Sequence, residues 1–337
     1  MNFLTNVALP PNRSKELQPL AMVDQLLANI ARSQDSEKNA EILQDVILLG
    51  SKRLAARISL EASRLWGLRP KDHIGWAASA ELFNASHLIH RNLHEQQRGD
   101  LPILPNRTFS DHIVISQITN YLPVLSIQSL PISDGLRWKL WSLLTYYSNQ
   151  MSEVDSMEIE FHGSRMQRGL KVLHDKILNI RAIPYFELPM HGTALIANLS
   201  EKEALRISPV FRDLGILYML IEDVMDLYGE SSSGHHGFRI KRGLMSRLIV
   251  EHLERFPQDR EEIIKLLTQS AEQIEAFQEL SSELKTKGAL AAVVVEIQFI
   301  ALKINSSDEL KPWPKVLDLA RNYVKSFLRP IDHLIGQ

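Results

Sequence analysis

The chain has 337 residues, of which 45% are hydrophobic and 23% are charged, and its formal net charge is −2. This composition is typical of a globular protein with an ample core and excludes a polycation that binds nucleic acid through its charge. Cysteine is absent, which excludes disulfides, thiolate catalysis and cysteine zinc sites and favours a cytoplasmic location.

Helical periodicity runs along almost the whole chain, whereas the alternating pattern of β-strands is nearly absent. We therefore expect one all-α domain over residues 19–337, after an N-terminal arm over residues 1–18 that Pro10 and Pro11 interrupt. Loops are expected at 69–72, 99–107 and 229–237, where Pro, Gly and Ser cluster. The predicted helices cover residues 20–33, 38–66, 74–96, 109–127, 133–151, 155–180, 182–199, 202–229, 242–254, 258–281, 286–303 and 313–334.

Stable membrane insertion is not expected, because no apolar run reaches the roughly 18–20 residues that cross a bilayer. The nearest approach is 284–302, which carries Lys287 and Glu296.

The central predicted helices are apolar on nearly every side, as helices are when they face both their neighbours and an interior space. This pattern favours a helical bundle around a central apolar cavity, and a tightly packed core without a cavity is the alternative. The residues expected to line such a cavity are Phe83, His87, Tyr121 and Met219.

Four carboxylates interrupt one of these apolar helices near its end. At about 100° per residue, Glu222, Asp226 and Glu230 fall on one stripe, and Asp223 lies beside it. Carboxylates in apolar surroundings need a counter-charge, and oxygen ligands of this kind suit a hard cation such as Mg²⁺, which often bridges to substrate phosphates. Pairing with Lys or Arg from neighbouring helices is the alternative.

Several segments resemble, in order, the motifs of the isoprenoid synthase family, specifically the trans-prenyl diphosphate synthases and the class I terpene synthases. Residues 50–54 (GSKRL) look like the family's GGKRL element, and 80–90 look like the stretch before its first aspartate-rich motif. Arg181, followed by Phe186 and Pro189, and the acidic run 222–226 match later elements. The resemblance covers most of residues 40–260 and implies an all-α isoprenoid synthase-type bundle that commonly dimerises.

The chain departs from the family pattern on the side that binds the allylic diphosphate. The first aspartate-rich motif, DDxxD, should fall at 91–95, where Glu95 is the one acid in the sequence RNLHE. The same side has lost further residues, since Met219 replaces a Gln, Leu244 a Lys and Gln97 an Arg. Ordinary chain elongation is therefore not expected.

The resemblance implies ligands for Mg²⁺ at the second motif. Glu222, Asp226 and Glu230 are the candidate ligands, and Asp223 is a ligand or a carboxylate that supports them. The spacing also fits the (N/D)DxxSxxxE motif of class I terpene synthases.

Diphosphate-binding residues are implied on both sides of the site. Arg181 stands where the family has a Lys and is a candidate catalytic diphosphate sensor, with an ordinary salt bridge as the alternative. Tyr218, beside the acidic face, is the second candidate catalytic residue, because its π-face would stabilise a carbocation. Core packing is the alternative role. The further candidates that bind diphosphate are Lys52, Arg53, Arg91, Arg98, Arg239 and Lys241. The last two belong to a basic segment, 234–247, which would close over a bound diphosphate as a lid, with a solvated loop as the alternative.

Three functions fit this pattern. The first is a divergent class I terpene synthase, a lyase that ionises one allylic prenyl diphosphate with Mg²⁺ and cyclises or rearranges the carbocation. The second is a non-catalytic regulatory subunit of a hetero-oligomeric prenyl diphosphate synthase. The third is an unusual prenyltransferase that uses Lys52, Arg53 and Arg98 for one diphosphate. A homodimer is expected for the first, and a heteromer with an active synthase for the second.

Overall fold

The computed structural model describes residues 14–34, 36–49, 53–97, 108–163, 169–229, 237, 240, 245–270 and 272–335. Within these ranges all regular structure is helical, which confirms the all-α prediction. The helices are α1 Ser14–Arg32, α2 Glu37–Leu49, α3 Leu54–Leu65, α4 Pro70–Gln97, α5 Phe109–Gln128, α6 Asp134–Gly163, α7 Leu170–Arg181, α8 Leu188–Ile196, α9 Glu201–Tyr228, α10 Arg247–Arg255, α11 Arg260–Gln269, α12 Ile274–Thr286, α13 Ala289–Asn305, α14 Pro314–Leu328 and α15 Asp332–Ile335.

Helix boundaries differ from the prediction where the backbone breaks a continuous apolar pattern. The predicted helix 38–66 is two helices, because Arg53 has a left-handed φ of 48° just before α3. The predicted break between the helices 133–151 and 155–180 lies further along the chain, since α6 continues to Gly163 and α7 begins at Leu170. Helix α1 begins at Ser14, within the predicted arm, and residues 1–13 lie outside the described part of the chain.

Helix α9 is the central element of the larger core. It packs against α8, α13, α14 and the π-helical turn Ile183–Glu187 that follows α7. Its start is fixed by a capping box, in which Ser200 accepts from the backbone of Glu203 and the Glu203 side chain accepts from the backbone of Ser200. A second, smaller core joins α1, α2, α4 and α5.

Glycine lets α9 approach the segment after α7 closely. A Cβ built on Gly215 would lie 2.7 Å from the Cβ of Ala182, which directly follows Arg181. This contact fixes the end of α7 against α9, about two turns before the acidic stripe.

Among the described helices, none is by itself long and apolar enough to cross a membrane. Helices α12 and α13 meet that test together on length and composition, but their axes are bent by 64°.

Candidate functional site

The acids of α9 differ sharply in their exposure. Asp223 is 1% exposed, whereas Glu222 and Asp226, one turn apart on the predicted stripe, are each partly exposed. Glu230, the fourth predicted ligand, lies outside the described residues. Among the described residues, the partly exposed acids of this stripe are therefore two carboxylates, those of Glu222 and Asp226, which lie four positions apart.

Asp223 supports the start of the next helix. Its Oδ2 accepts a hydrogen bond of 2.7 Å from the backbone N–H of Arg247, the first residue of α10. The first N–H groups of a helix have no partner within the helix, and a carboxylate there also complements the helix dipole. Two roles were predicted for Asp223, a metal ligand and a supporting carboxylate, and this geometry favours the supporting one.

The side chain of Arg247 is buried among carboxylates from three helices. It is 1% exposed and donates to Asp175 on α7 at 2.6 Å and to Glu296 on α13 at 2.8 and 2.9 Å. Glu251, one turn along α10, lies 3.3 Å from its Nε. Arg247 was predicted within the basic lid, and that placement is wrong, because its guanidinium is an interior anchor.

Asp226 holds the segment that follows α9. Its backbone carbonyl accepts from Gly237 at 2.7 Å, and its Oδ2 accepts from the backbone of Ile240 at 3.2 Å. Arg239 and Lys241, the predicted lid cations, lie outside the described residues.

The α9 acids fit a divalent cation that keeps part of its shell from elsewhere. Mg²⁺ is commonly held by one or two carboxylates, with water and substrate phosphate oxygens completing six ligands. Glu222 and Asp226 supply such a pair. In the described part of the chain, they are not joined by a third ligand atom within 4.8 Å. A group of three such atoms occurs elsewhere in that part, at His252, Asp259 and Glu283.

That second cluster is closed by an ammonium group. Lys287 Nζ lies 2.8 Å from Asp259 Oδ2 and also contacts Glu283. These partners raise the pKa of Lys287, so the ammonium stays charged and already neutralises the carboxylates that a metal would need.

Arg181 is brought beside the predicted cavity residues of α4, and it is paired. Its Nη2 donates to Asp155 of α6 at 2.6 Å, and both side chains are 9% exposed. It is also close enough to His87 for its charge to lower the pKa of that imidazole. The structure thus gives Arg181 the salt bridge that was the alternative role.

The interior face of α4 carries aromatic and imidazole rings. The rings of Phe83 and His87 meet edge to face, with centroids 4.5 Å apart, and the ring of His90 lies 6.3 Å from that of His87. Burial, then the charge of Arg181 and the neighbouring His90, lower the pKa of His87 to about 3, so His87 is neutral at physiological pH.

Both histidines hold a ring nitrogen that makes no hydrogen bond within the described part of the chain. These atoms are Nδ1 of His87 and Nε2 of His90, and both are buried. A buried polar atom without a partner costs about 1–3 kcal/mol, which is why such atoms often mark functional sites. The side chain of Arg91 on this helix, together with Lys52 and Arg98, lies outside the described residues.

A second buried carboxylate supports a helix start on the α4 side. Glu81 is 4% exposed, and its Oε1 accepts the backbone N–H of Ala56 at 2.9 Å, in the first turn of α3. Burial raises the pKa of Glu81, while the charge of Arg53 opposes that shift. Arg53, predicted to bind a diphosphate, donates to Asp24 of α1 at 2.7 Å.

The predicted cavity and catalytic aromatics fall in different places. Phe83 is 3% exposed and Met219 is half-buried, both packed in the core. Tyr218 is 2% exposed and packs against Phe186 and Phe327 at 5.9 and 5.1 Å between centroids, so its contacts are those of a core residue. Tyr121 is 69% exposed, and its prediction as a cavity residue is wrong, because its side of α5 faces outward.

Sequence reasoning missed three residues that shape this region, namely Glu81, Asp155 and Arg247. Glu81 had a detectable signal, since it is a lone acid in the apolar run 74–85. Asp155 and Arg247 had none, because their partners are 26 and up to 72 residues away in the chain.

Comparison with known proteins gives a consistent picture. Residues 36–284 match the sequence pattern of a family described as Polyprenyl synthetase. No curated protein matches the chain significantly.

Solved structures of similar fold cover nearly the whole chain. A geranylgeranyl pyrophosphate synthase is 15% identical, with a TM-score of 0.82, over 95% of this chain and 99% of that one. A decaprenyl diphosphate synthase from Rhodobacter capsulatus is 16% identical, with a TM-score of 0.72, over 92% and 97%. A polyprenyl synthase from Caulobacter crescentus CB15, complexed with calcium and isoprenyl diphosphate, is also 16% identical, with a TM-score of 0.72, over 94% and 99%.

Proposed function

The chain belongs to the polyprenyl synthetase family, and from that premise we propose that it ionises an allylic prenyl diphosphate with the help of Mg²⁺ bound at the end of α9. The products are pyrophosphate and a carbocation that cyclises or rearranges within the protein. This is the chemistry of a class I terpene synthase carried out by a divergent member of the family.

One observation carries the proposal. Glu222 and Asp226 are partly exposed on one turn of α9, while Asp223 between them is used to support α10. Two accessible carboxylates are what a divalent cation needs when the substrate diphosphate completes its shell. The calcium and isoprenyl diphosphate named for the Caulobacter crescentus polyprenyl synthase support a divalent cation and this substrate class. Bound there, the cation would stabilise the charge of the departing pyrophosphate.

Arg181 is the residue of this chain best placed to hold the leaving group. A guanidinium offers several N–H donors in one plane, so it can keep Asp155 while it donates to a phosphate oxygen. The aromatic ring of Phe83, which packs against that of His87 on α4, suits the hydrocarbon part and a developing cation.

The test is to incubate the purified protein with Mg²⁺ and geranyl, farnesyl or geranylgeranyl diphosphate and to measure pyrophosphate and hydrocarbon products. We expect release that falls at least about 100-fold in Asp226→Ala. The matched control is Asp213→Ala on the same helix, where the carboxylate pairs with Lys303, and it should keep its release. Equal release by both variants would refute the α9 site.

Longer products on addition of a homoallylic diphosphate would support the prenyltransferase.

A non-catalytic subunit is the second candidate, and the pairing of Arg181 with Asp155 favours it. If no allylic diphosphate yields pyrophosphate, the protein should instead raise the activity or alter the product length of an intact prenyl diphosphate synthase mixed with it.

We also propose that the protein is a homodimer through α5 and α6. Tyr121 on α5 and Trp138 on α6 are 69% and 64% exposed, and Val114, Leu125 and Tyr146 extend this apolar surface on the same helices. Light scattering should give twice the chain mass for the wild type and a smaller mass for Tyr121→Asp, whereas a monomeric wild type would refute the dimer.

A further inference from the structure

We infer that His87 is the base that ends the reaction by removing a proton from the carbocation, so that the main products are olefins. This inference rests on the proposed ionisation and assigns a chemical step to a residue that was expected to line the cavity.

His87 lies at the border between an apolar and a charged part of the interior. Its ring packs edge to face with Phe83, and it lies close enough to Arg181, which would hold the leaving diphosphate, for that charge to lower the pKa of the imidazole. A cation left behind by that diphosphate, and stabilised by the Phe83 ring, would form next to the imidazole.

The ring has a nitrogen free for this task. Nδ1 of His87 is buried and makes no hydrogen bond within the described residues, and the whole residue is 9% exposed. A neutral imidazole has one N–H and one lone pair, so in the tautomer that carries its proton on Nε2 the ring offers the lone pair of Nδ1 to a substrate proton. Restricted exposure also limits the access of water, which would otherwise trap the cation as an alcohol.

Burial, followed by the charges around it, keeps the ring neutral. The charged or titratable groups whose fields reach it are Arg181 at the end of α7 and His90 one turn along α4, and Asp155 of α6 pairs with that Arg181. With a pKa of about 3, His87 is available as a base over the whole physiological range. A weak base suffices, since a carbocation is an extremely strong acid.

The C–O bond to the diphosphate breaks, and its electron pair leaves with pyrophosphate. A C–H bond beside the cationic carbon then breaks, its electrons form the C=C bond, and the proton joins the unprotonated ring nitrogen of His87. An imidazolium of such low pKa passes the proton on to a pyrophosphate oxygen, since phosphate groups have a second pKa of ≈ 6, and the ring is neutral again.

The experiment compares the wild type with His87→Phe and His87→Asn on the allylic diphosphate that gives the fastest pyrophosphate release. We expect the ratio of olefin to alcohol, measured by gas chromatography and mass spectrometry, to fall at least about tenfold in both variants. The matched control is His112→Asn, because His112 is 1% exposed and also has a buried ring nitrogen without a partner in the described structure, but lies on α5. Its product ratio should equal that of the wild type.

Two further measurements separate a base from a packing residue. Added imidazole should restore olefin formation in His87→Ala, which a lost packing contact would not explain. The ¹⁵N shifts of the His87 ring should be those of a neutral imidazole from pH 5.5 to 8, and this readout needs no turnover.

The outcomes are distinct. An unchanged product ratio in both His87 variants, or an imidazolium at pH 7, would overturn the inference and leave the proposed ionisation standing. A wild type that releases no pyrophosphate would overturn the proposed function, and the inference with it.

Discussion

The end of α9 and the interior face of α4 carry the candidate functional residues, and they are built from opposite chemistry. The α9 end exposes Glu222 and Asp226, whereas the α4 face carries the neutral imidazole of His87 with an unpaired ring nitrogen in the described structure. Each region also has one buried carboxylate that supports the start of another helix, Asp223 for α10 and Glu81 for α3. Exposure, more than residue type, therefore separates candidate ligands from structural acids.

The largest expected effect is on stability, and it comes from removing the buried cation that anchors the region around α9. Arg247→Met removes a buried cation and leaves Asp175, Glu296 and Glu251 without it, so the free energy of unfolding should fall by about 3–5 kcal/mol. Urea denaturation measures this change. Arg206→Met, at an exposed pair with Glu309, is the matched control and should cost no more than about 1 kcal/mol. Equal losses would contradict the interior anchor.

The next prediction tests the division of roles within the acidic run. Asp223→Ala should destabilise the protein by about 1–3 kcal/mol, because the N–H of Arg247 loses its buried acceptor. Glu222→Ala should change stability by less than about 1 kcal/mol and weaken the binding of Mg²⁺ with pyrophosphate, followed by calorimetry. If Glu222→Ala were as destabilising as Asp223→Ala, exposure would not distinguish the two carboxylates.

The smallest expected effect concerns Glu81 and pH. Its folded-state pKa is raised, mainly by burial, so its contribution to stability is fully present below its ordinary pKa and is lost as the pH rises through the raised value. Glu81→Gln keeps an acceptor for Ala56 but cannot titrate. The variant should stay within about 1 kcal/mol of wild type at pH 7, and its stability relative to wild type should increase from pH 4 to pH 7. Denaturation at both values measures this, and a relative decrease would contradict the sign.

Much of the fold could be predicted from periodicity, and the errors have local causes. The apolar pattern continues through the predicted helix 38–66, but Gly50 follows the last residue of α2 directly, and a Gly at that place is a helix stop signal that the prediction passed over. The positive φ of Arg53, just before α3, had no signal of its own. The apolar residues around Tyr121 predicted an interior face, but α5 is apolar on an exposed side as well.

The candidate site was predictable as a set of residues and less so as an arrangement. The spacing placed Glu222 and Asp226 on one stripe, and helix geometry alone was enough for that. Spacing could not reveal that Asp223 supports α10 or that Arg181 pairs with Asp155, because both depend on residues that only the tertiary fold brings near.

The Arg247 anchor has a consequence for the rate at which the protein unfolds. Its backbone and side chain bind residues that are 24, 49 and 72 positions away, and the guanidinium loses its water only when α7 and α13 have docked on α10. We expect this docking to complete after the folding barrier has been crossed, because the carboxylates come from helices that are distant in the chain. Interactions that are absent from the transition state slow unfolding without speeding folding. We therefore expect this cluster to act chiefly as a kinetic lock on the native state.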